Sequence, residues 1–303
     1  MEWTSVQLRS LVELPRRGTI TAVADALGYT PGGVSQQLST LEKAVGQRLL
    51  RRAGRRVELT DAGAALARYA ERMLGVESEA IAALERTTTA ITGTIRMGLF
   101  ATAAAEILPI ALTQIQHHHP NLAVRSKDID VDEVHDAVAS RAVDLAVGLD
   151  YPDVPIQRDP ALRQVLLYPE RFSLAFPAGT APSSERISLA DTGSSGWILP
   201  AVDSHYGRAI LAVCRRAGIE PDVRHEVTDT AATLALVEAG VGIATVTDLM
   251  LGLRPSRVDV VPLTERFERH IVAIVRAEAE SRPSVGALIS VLRELELTET
   301  TGQ

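Results

Sequence analysis

The sequence contains a single cysteine, Cys214, among its 303 residues. An intramolecular disulfide, a cysteine-based zinc cluster and a two-cysteine redox switch each need more than one thiol, so all three are excluded within this chain. We expect Cys214 to be a small buried apolar residue. No apolar run reaches the ~18 residues that a membrane span needs. Residues 1–7 also lack the basic and apolar segments of a signal peptide. We therefore expect a cytoplasmic protein with no membrane partner.

The sequence also lacks a recognisable catalytic constellation. Residues 193–197 (GSSGW) have no final glycine to complete a nucleophile elbow. Gly240-x-Gly242 precedes a strand, whereas the glycines of a dinucleotide loop follow one. Residues 117–119 are three histidines that point in different directions at the end of a helix, which favours a solvated helix end over a metal site. The sequence therefore predicts neither an enzyme nor a cofactor.

The distribution of charge divides the chain in two. Its length suits about two domains, and 46% hydrophobic with 23% charged residues is ordinary globular composition. The net charge is -7, yet residues 1–60 carry nine basic and five acidic side chains, a net charge of +4. The remaining 22 basic and 33 acidic residues leave -11 elsewhere. Only the basic N-terminal part, which we call the head, is expected to contact phosphate.

The head contains the pattern of a helix-turn-helix. Residues 20–27 (ITAVADAL) predict a short helix, which Gly28 would end in a left-handed conformation. A second helix follows at once, with Thr30 as its N-cap and Pro31 at its first position. Its apolar positions are Val34, Leu38 and Leu41. Two helices joined by so short a turn are typical of DNA-binding modules.

The outward face of the second helix is small or amide-bearing. Gln36 and Gln37 could each bind adenine through two hydrogen bonds, and Ser35 could reach a base or a phosphate. A plain solvated face is the alternative interpretation. We predict that this face contacts DNA through Thr30, Pro31, Gly33, Ser35, Gln36, Gln37 and Ser39.

Residues 48–60 (RLLRRAGRRVELT) predict a β-hairpin that turns at Ala53 and Gly54. Its arginines could simply guard an exposed strand edge. Beside a recognition helix, however, such arginines more often bind phosphates. We therefore interpret the hairpin as the wing of a winged helix-turn-helix. The wing residues predicted to contact DNA are Arg51, Arg52, Arg55, Arg56 and Thr60.

An ordered set of residues runs through the first 65 positions. Its members are Leu8, Leu11, Gly18, Thr19, Ile20, Ala24, Leu27, Val34, Ser35, Leu38, Leu41, Glu42, Gly46, Leu49, Leu50, Arg52, Gly54, Arg55, Leu59, Thr60, Asp61, Ala62 and Gly63. This set resembles the N-terminal signature of LysR-type transcriptional regulators. Two departures are Val23, in place of the usual alanine, and the pair Gly32-Gly33 at the start of the recognition helix.

A helical stretch follows the head and runs to about Thr89. Over ~28 residues it would extend roughly 40 Å, which suits a dimer arm better than a core helix. The resemblance implies the same, namely paired linker helices in a homodimer or homotetramer. Its apolar seam consists of Ala62, Leu66, Tyr69, Met73, Val76, Ala80 and Leu84.

The rest of the chain alternates strands and helices, which predicts an α/β domain with a parallel sheet. The predicted strands are residues 94–100, 122–129, 143–149, 172–177, 196–200, 223–227, 242–246 and 270–276. The predicted helices are residues 103–117, 132–140, 204–217, 231–239 and 285–295. The last strand and helix are needed to complete the first sheet.

The resemblance implies two Rossmann-like lobes, similar to periplasmic binding proteins, joined by crossover strands near residues 163–170 and 263–269. The predicted fold class is therefore mixed, with an all-α winged helix-turn-helix and linker helix followed by an α/β effector domain. The predicted boundaries are 1–60 for the head, 61–91 for the linker and 92–303 for the effector domain. Lobe I would comprise 92–164 with 268–303, and lobe II 165–267.

In open α/β sheets, ligands bind beyond the carboxyl ends of the strands. At Phe100 to Ala103 a strand gives way to a helix, whose free N–H groups favour an anion. Thr102 could also be an ordinary N-cap; by the resemblance, it occupies the position where relatives bind an effector carboxylate. By the same resemblance, Asp130 stands where relatives often have a neutral hydroxyl residue, which favours an amine-bearing or cationic effector. The predicted effector-binding residues are Phe100, Ala101, Thr102, Ala103, Asp128, Asp130, Asp150, Ser204, His205, Thr228 and Thr230.

These patterns predict a sequence-specific regulator that binds double-stranded DNA and a small-molecule effector, with RNA polymerase as a further partner of an activator. A solute-binding protein would share the fold of the α/β domain, but it would lack the basic head and need an export signal. A nucleoid-associated protein would share the head but would have no use for a cleft.

Overall fold

The head consists of three helices and a hairpin. In a computed structural model of the chain, α1 spans Ser5–Arg17, α2 Ile20–Leu27 and α3 Pro31–Val45. Strands β1 (Leu50–Ala53) and β2 (Arg56–Leu59) pair in antiparallel fashion as the predicted wing. The structure describes residues 2–54, 56–88, 90–156 and 159–295.

Local capping explains where the head helices begin and end. Gly28 adopts a left-handed φ of 71° and ends α2, because a side chain there would be strained. The Thr30 hydroxyl accepts a hydrogen bond from the Gly33 N–H at 3.1 Å and starts α3 one residue before Pro31. The helix-turn-helix predicted from these residues is therefore confirmed. Its core comprises Leu8, Leu11, Leu14, Val23, Ala24, Val34, Leu38, Leu41 and Leu49.

A long helix, α4 (Asp61–Glu85), connects the head to the rest of the chain. It ends earlier than predicted, and Thr89 lies outside the described residues. At its start Gly63 lies so close to the β-hairpin that a Cβ atom there would be 2.1 Å from the Leu49 carbonyl oxygen, so only glycine fits. At its end Glu85 accepts hydrogen bonds from Arg282 and from the Ser284 N–H, at 2.8 and 3.0 Å. These contacts anchor the linker at both ends.

The two faces of α4 differ in the size of their apolar side chains. The face of α4 that is buried against the rest of the protein consists mostly of small residues, including Ala67, Ala70 and Ala82. The predicted seam lies largely on the other face. Ala62 and Leu66 pack partly against the head core, but Tyr69, Met73, Val76 and Leu84 are 40 to 68% exposed.

The first sheet of the body, residues 93–295, is mixed. Its five strands are arranged in the order β4 (Leu122–Asp128), β3 (Gly93–Leu99), β5 (Leu145–Asp150), β12 (Glu268–Arg276) and β6 (Leu162–Arg171). Strands β3, β4 and β5 are parallel, as predicted, whereas β12 is antiparallel to both β5 and β6. The expectation of a parallel sheet therefore holds for these three strands but not for β12, because β6 leaves this lobe and β12 returns to it in the opposite direction.

Four helices cover this sheet, namely α5 (Ala101–Glu106), α6 (Leu108–His118), α7 (Val134–Ala139) and α11 (Pro283–Glu294). The single helix predicted over 103–117 is therefore two helices. Pro109 in the first turn of α6 has no N–H to continue the hydrogen-bond ladder of α5, so the chain restarts after Ile107. A 3-10 turn at Val131–Glu133 similarly precedes α7.

The second lobe has a smaller sheet. Strand β7 (Ser173–Pro177) is flanked by β10 (Ala244–Val246) and β11 (Val258–Pro262), both antiparallel to it. Strands β8 (Gly196–Leu199) and β9 (Asp222–Glu226) pair in parallel. A bridge between Trp197 and Ile243 joins the two groups of strands. Strand β11 was not predicted from the sequence.

Three helices complete the second lobe: α8 (His205–Arg216), α9 (Thr230–Glu238) and α10 (Asp248–Gly252). The short α10 was not predicted, because five residues carry too little periodicity to identify a helix. Both lobes share one apolar core that extends across the crossover strands. The predicted mixed fold class is confirmed. No helix in the described ranges is long and apolar enough to cross a membrane.

Candidate functional site

The outward face of α3 is polar and exposed. Ser35, Gln36 and Ser39 are exposed, as are Thr30 and Pro31 at the start of the helix, whereas Gly33 is half-buried. The buried face holds α3 against α1 and α2 through Val34, Leu38 and Leu41. The helix therefore presents hydroxyl and amide groups to the outside from a rigid support.

Gln37 does not point outward as predicted. It is half-buried, and its Oε1 atom accepts a hydrogen bond from the buried Ser10 hydroxyl at 2.6 Å. Position 37 lies three residues after Val34 and next to Leu38, so it borders the buried stripe of the helix. Its carboxamide thus ties α3 to α1, and Gln36 is the fully exposed amide of the pair.

The arginines of the wing are not equivalent. Arg51 forms an exposed ion pair with Glu58 at 2.9 Å, whereas Arg52 and Arg56 are exposed and have no carboxylate partner in the described parts of the chain. Arg55 lies outside the described residues. Thr60 caps α4: its hydroxyl accepts from the Gly63 N–H and donates to the Arg48 carbonyl. Thr60 therefore has a structural role whether or not it contacts DNA.

Backbone contacts fix the wing relative to the recognition helix. The Glu42 carboxylate on α3 accepts hydrogen bonds from the N–H groups of Leu49 and Leu50 at 2.8 and 3.1 Å. On the other strand, the Val57 N–H donates to the Gly18 carbonyl at 3.0 Å. The polar face of α3 and the cationic hairpin therefore form one preorganised surface. Such a surface suits a DNA groove flanked by phosphates.

A cavity of about 420 Å³ lies between the two lobes of the body. Residues from lobe I and lobe II both line it. Eight of the predicted effector-binding residues are among them, namely Phe100, Ala101, Thr102, Asp128, Asp130, Ser204, Thr228 and Thr230. We call this cavity the cleft.

Three predicted residues do not line the cleft. Ala103 is fully buried within the first lobe. Asp150 is buried at the end of β5, opposite His270. The His205 ring turns away from the cleft and its Nε2 atom lies 2.7 Å from the Val154 carbonyl oxygen. These residues adjoin cleft residues in sequence, but their side chains pack into the protein.

Thr102 lies in the first turn of α5 and is not its N-cap. The cap position is Phe100, which has no side-chain hydrogen bond to the helix. The Thr102 side chain lines the cleft although only 5% of the residue is exposed. Within the described ranges its hydroxyl makes no hydrogen bond, so it remains available to a ligand.

Arg269 forms part of the cleft floor and was missed from the sequence. It is 3% exposed, pairs with Glu170 at 2.7 Å and donates to the Thr247 hydroxyl at 2.8 Å. Burial by itself lowers the pKa of Arg269, but the Glu170 carboxylate outweighs it and raises the pKa above its usual value. The guanidinium therefore keeps its positive charge, and the Glu170 carboxylate balances that charge.

No local pattern in the sequence distinguishes Arg269 from its charged neighbours. Glu170 and Arg269 are cross-strand partners in β6 and β12, the two crossover strands. The two segments also contain Arg163, Glu265, Arg266 and Glu268, so the pairing becomes visible only when the strands lie side by side. The cleft residue Asp132 was also missed, whereas Tyr206 and Asp229 lie in the loops 203–206 and 228–230 that were expected at the cleft.

Two family models match the chain. The model for "Bacterial regulatory helix-turn-helix protein, lysR family" matches residues 6–64, and the "LysR substrate binding domain" matches residues 89–296. The chain belongs to the LysR family of transcriptional regulators. Its effector-binding domain is the part that contains the cleft.

Similar proteins include named regulators of gene expression. A "probable hydrogen peroxide-inducible genes activator" of Mycobacterium leprae is 27% identical over 79% of this chain and 76% of that protein. The regulator DgdR of Burkholderia cepacia is 30% identical over 79% of this chain and 76% of its own length. A full-length OxyR variant from Pseudomonas aeruginosa has the same fold, with a TM-score of 0.71 at 16% identity over 100% of this chain and 99% of that one.

Proposed function

We propose that this LysR-family regulator binds specific double-stranded DNA through α3 and the wing. The observation that carries the proposal is that the head exposes Ser35 and Gln36 on α3 and Arg52 and Arg56 on the hairpin, where neither arginine has a carboxylate partner among the described residues. Amide and hydroxyl groups can read base edges in the major groove, and arginines can bind the flanking phosphates. Glu42 holds the two parts in fixed register.

We further infer that a small carboxylate- or amino-acid-like metabolite binds in the cleft and modulates DNA binding. Residues of both lobes line this cavity, so one ligand can touch both lobes at once. A ligand shifts a conformational equilibrium only if it binds the two arrangements with different affinity. A ligand bridging the lobes meets this condition.

The geometry also supports a route from the cleft to the head. The segment 128–130 lines the cleft on one side and, on the other, a second cavity of about 330 Å³ that includes Arg17 and Asp25 of the head. Arg17 also pairs with Asp136 of the body at 3.3 Å. A ligand that displaced this segment would therefore change the contact between body and head.

The proposed assembly is a homodimer or homotetramer joined through the exposed stripe of α4. Burying large apolar side chains such as Tyr69, Met73 and Leu84 against a second copy would remove them from water. Two heads could then occupy two half-sites of one operator. RNA polymerase would be a further partner if the regulator activates transcription.

Peroxide sensing, suggested by the name of the M. leprae relative, has less support in this chain. Its single cysteine cannot form an intramolecular disulfide. Cys214 is buried in α8, and burial raises the pKa of its thiol to about 12. Little reactive thiolate would therefore be present at neutral pH.

Selection of bound fragments from genomic DNA tests the proposed function. The full chain should enrich a defined sequence, and Gln36→Ala should lose about 1 to 3 kcal/mol of preference at particular base pairs. Gln47→Ala is a matched control, because Gln47 is exposed in the head but lies beyond the end of α3. An unchanged sequence preference in Gln36→Ala would remove this face of α3 from the interface.

A further inference from the structure

The mouth of the cleft is strongly acidic. Asp128, Asp130 and Asp132 line it from lobe I, and Asp229 lines it from lobe II. All four residues are exposed. Among the described residues that line the cleft, Arg269 is the one cationic side chain, and Glu170 neutralises it at 2.7 Å. The cleft therefore carries an excess of negative charge on both of its walls.

None of these four carboxylates pairs with a cation in the described ranges. Asp130 accepts a hydrogen bond from the Asp132 N–H at 2.9 Å, and Asp229 accepts one from the Ala232 N–H at 2.7 Å. Asp132 accepts a longer bond of 3.4 Å from the His205 N–H. The Asp128 carboxylate makes no hydrogen bond within these ranges. Backbone N–H groups satisfy part of the hydrogen-bonding capacity but leave the charges uncompensated.

A second, separate observation points to a ligand. The Thr102 hydroxyl lines the same cavity in a residue that is 95% buried, and it has no hydrogen-bond partner in the described chain. A nearly buried polar group without a partner is costly unless water or a ligand satisfies it. The cleft thus offers one neutral hydrogen-bonding group together with a ring of carboxylates.

The carboxylates do not form a metal site. Within the described residues no group of three or more acidic, histidine or cysteine side chains converges closely enough to hold a metal ion. A divalent ion needs several oxygen ligands around one point. Carboxylates spread around a cavity instead suit an extended molecule whose positive charge is carried on a hydrogen-bonding group.

Resting on the proposed function, we propose that the effector is an organic cation with a protonated amine or guanidinium group. Its cationic group binds between the lobe I carboxylates, Asp128 to Asp132, and Asp229 of lobe II, and a polar group elsewhere on the molecule bonds the Thr102 hydroxyl. Of the two ligand classes proposed above, an amino-acid-like molecule with a cationic group fits this cleft, whereas a carboxylate without such a group is repelled from it. An amino acid with a basic side chain satisfies both requirements.

Charge gives this ligand a means of acting on the protein. Like charges on facing walls repel each other, and the repulsion grows as the lobes approach. A cation placed between them turns repulsion into attraction and favours the closed arrangement. The ligand therefore has the differential affinity that regulation requires.

Calorimetry on the full-length protein with matched probe pairs tests the ligand class. The pairs are arginine with citrulline, lysine with norleucine, and pentane-1,5-diamine with glutarate. The first two pairs differ mainly in the charge of one end group, and the third reverses the charge at both ends. We expect the cationic member of at least one pair to bind at millimolar concentration and its partner to bind at least tenfold more weakly. Stronger binding of the uncharged or anionic members, or no binding of any cation, overturns the proposal.

Carboxylate variants then locate the binding site. Asp130→Asn and Asp229→Asn should each weaken the cation by roughly 10- to 100-fold, as expected for loss of a charge-assisted hydrogen bond. Asp191→Asn removes the same charge from an exposed residue of lobe II that does not line the cleft, and should leave affinity unchanged. Equal effects of all three variants, or no effect of the cleft variants, would contradict the assignment.

Two further measurements separate the possible causes of failure. Thr102→Val should weaken the same cation about tenfold, whereas unchanged affinity would remove the second contact. Magnesium chloride alone should not stabilise the protein. If it does, and Asp130→Asn abolishes the effect, the cleft binds an inorganic cation and the proposal of an organic one is overturned. Operator binding without ligand is measured separately on each variant. A protein that binds no operator would contradict the proposed function, but the calorimetric result for the cleft would still stand.

Discussion

The head and the body differ in which charged groups find a partner within the chain. In the head, Arg52 and Arg56 of the wing have no carboxylate beside them in the described ranges. In the body, the deeply placed arginines are paired, for example Arg269 with Glu170 and Arg282 with Glu85. Among the described residues of the body, the four carboxylates that line the cleft are charged groups without an ion pair. Each surface that we assign to a ligand is thus a place where the fold leaves charge uncompensated, and its sign indicates the sign of the partner.

The linker α4 also leaves groups without a partner, but these groups are apolar. Its small side chains are satisfied within the chain, while Tyr69, Val76 and Leu84 remain exposed. Large exposed apolar side chains on one helix face indicate a protein partner. The head, linker and body therefore each expose a different kind of unsatisfied group, which suits DNA, a second copy and a small molecule in turn.

The largest expected effect concerns a charge that is already paired. Glu170→Ala leaves the Arg269 guanidinium buried and uncompensated and removes the acceptor of the buried Leu249 N–H. We expect a loss of about 3 to 5 kcal/mol in the free energy of unfolding, measured by urea denaturation. Glu220→Ala breaks the exposed pair with Arg215 and should cost less than about 1 kcal/mol. Equal losses in the two variants would mean that burial does not make the Glu170–Arg269 pair more important for stability than the exposed pair.

The apolar stripe of α4 gives the next largest effect. Met73→Glu combined with Leu84→Glu would place unpaired charges in the proposed dimer contact, at several kcal/mol. The dissociation constant of the dimer should then rise by about 100-fold or more, measured by sedimentation. Glu79→Lys changes the charge by the same amount at an exposed position of α4 outside the seam and serves as the control. An intact dimer in the double variant would place the main contact in the body.

The pH dependence of Asp144 provides a smaller test of the paired set. Burial alone would raise the pKa of Asp144, but hydrogen bonds from Arg96 and the charge of Arg276 outweigh it and hold the pKa below its usual value. Its contribution to stability is therefore present above the unfolded pKa of about 3.9 and is lost as the pH falls through the lower folded value.

Asp144→Asn should accordingly destabilise the protein at pH 7, and the difference from wild type should shrink in acid. Denaturation midpoints measured at neutral and at acid pH check this expectation. The exposed Asp191→Asn should show no such change with pH. If the stability difference between Asp144→Asn and wild type stayed constant down to acid pH, the ion pairs of Asp144 would not be the source of its contribution to stability.

Local signals in the sequence were sufficient for the head. Gly28 and Thr30 mark the end of one helix and the start of the next through their own backbone and side-chain preferences, and both bounds agree with the structure. The direction of Gln37 was not predictable in this way, because it depends on a contact with Ser10 of another helix. Periodicity near the edge of a buried stripe does not decide which way a side chain turns.

Long-range pairing explains most of what was missed in the body. The antiparallel placement of β12 depends on the chain returning from the second lobe, which strand propensity does not encode. Arg269 reaches the cleft floor only through that placement, so its role was invisible in the apolar pattern of residues 270–276. The loops at strand ends were better predicted, since eight proposed residues line the cleft, but which neighbour faces inward depended on packing.

The salt dependence of DNA binding tests the central contrast most directly. With Arg52→Ala and Arg56→Ala combined, the slope of log binding constant against log salt concentration should become shallower by about 1.8, because two phosphate contacts are lost at roughly 0.9 each. Arg215→Ala removes an exposed cation of the body that already has a carboxylate partner, and should leave the slope unchanged. An unchanged slope in the wing variant, or an equal change in Arg215→Ala, would contradict the assignment of DNA binding to the unpaired arginines of the head.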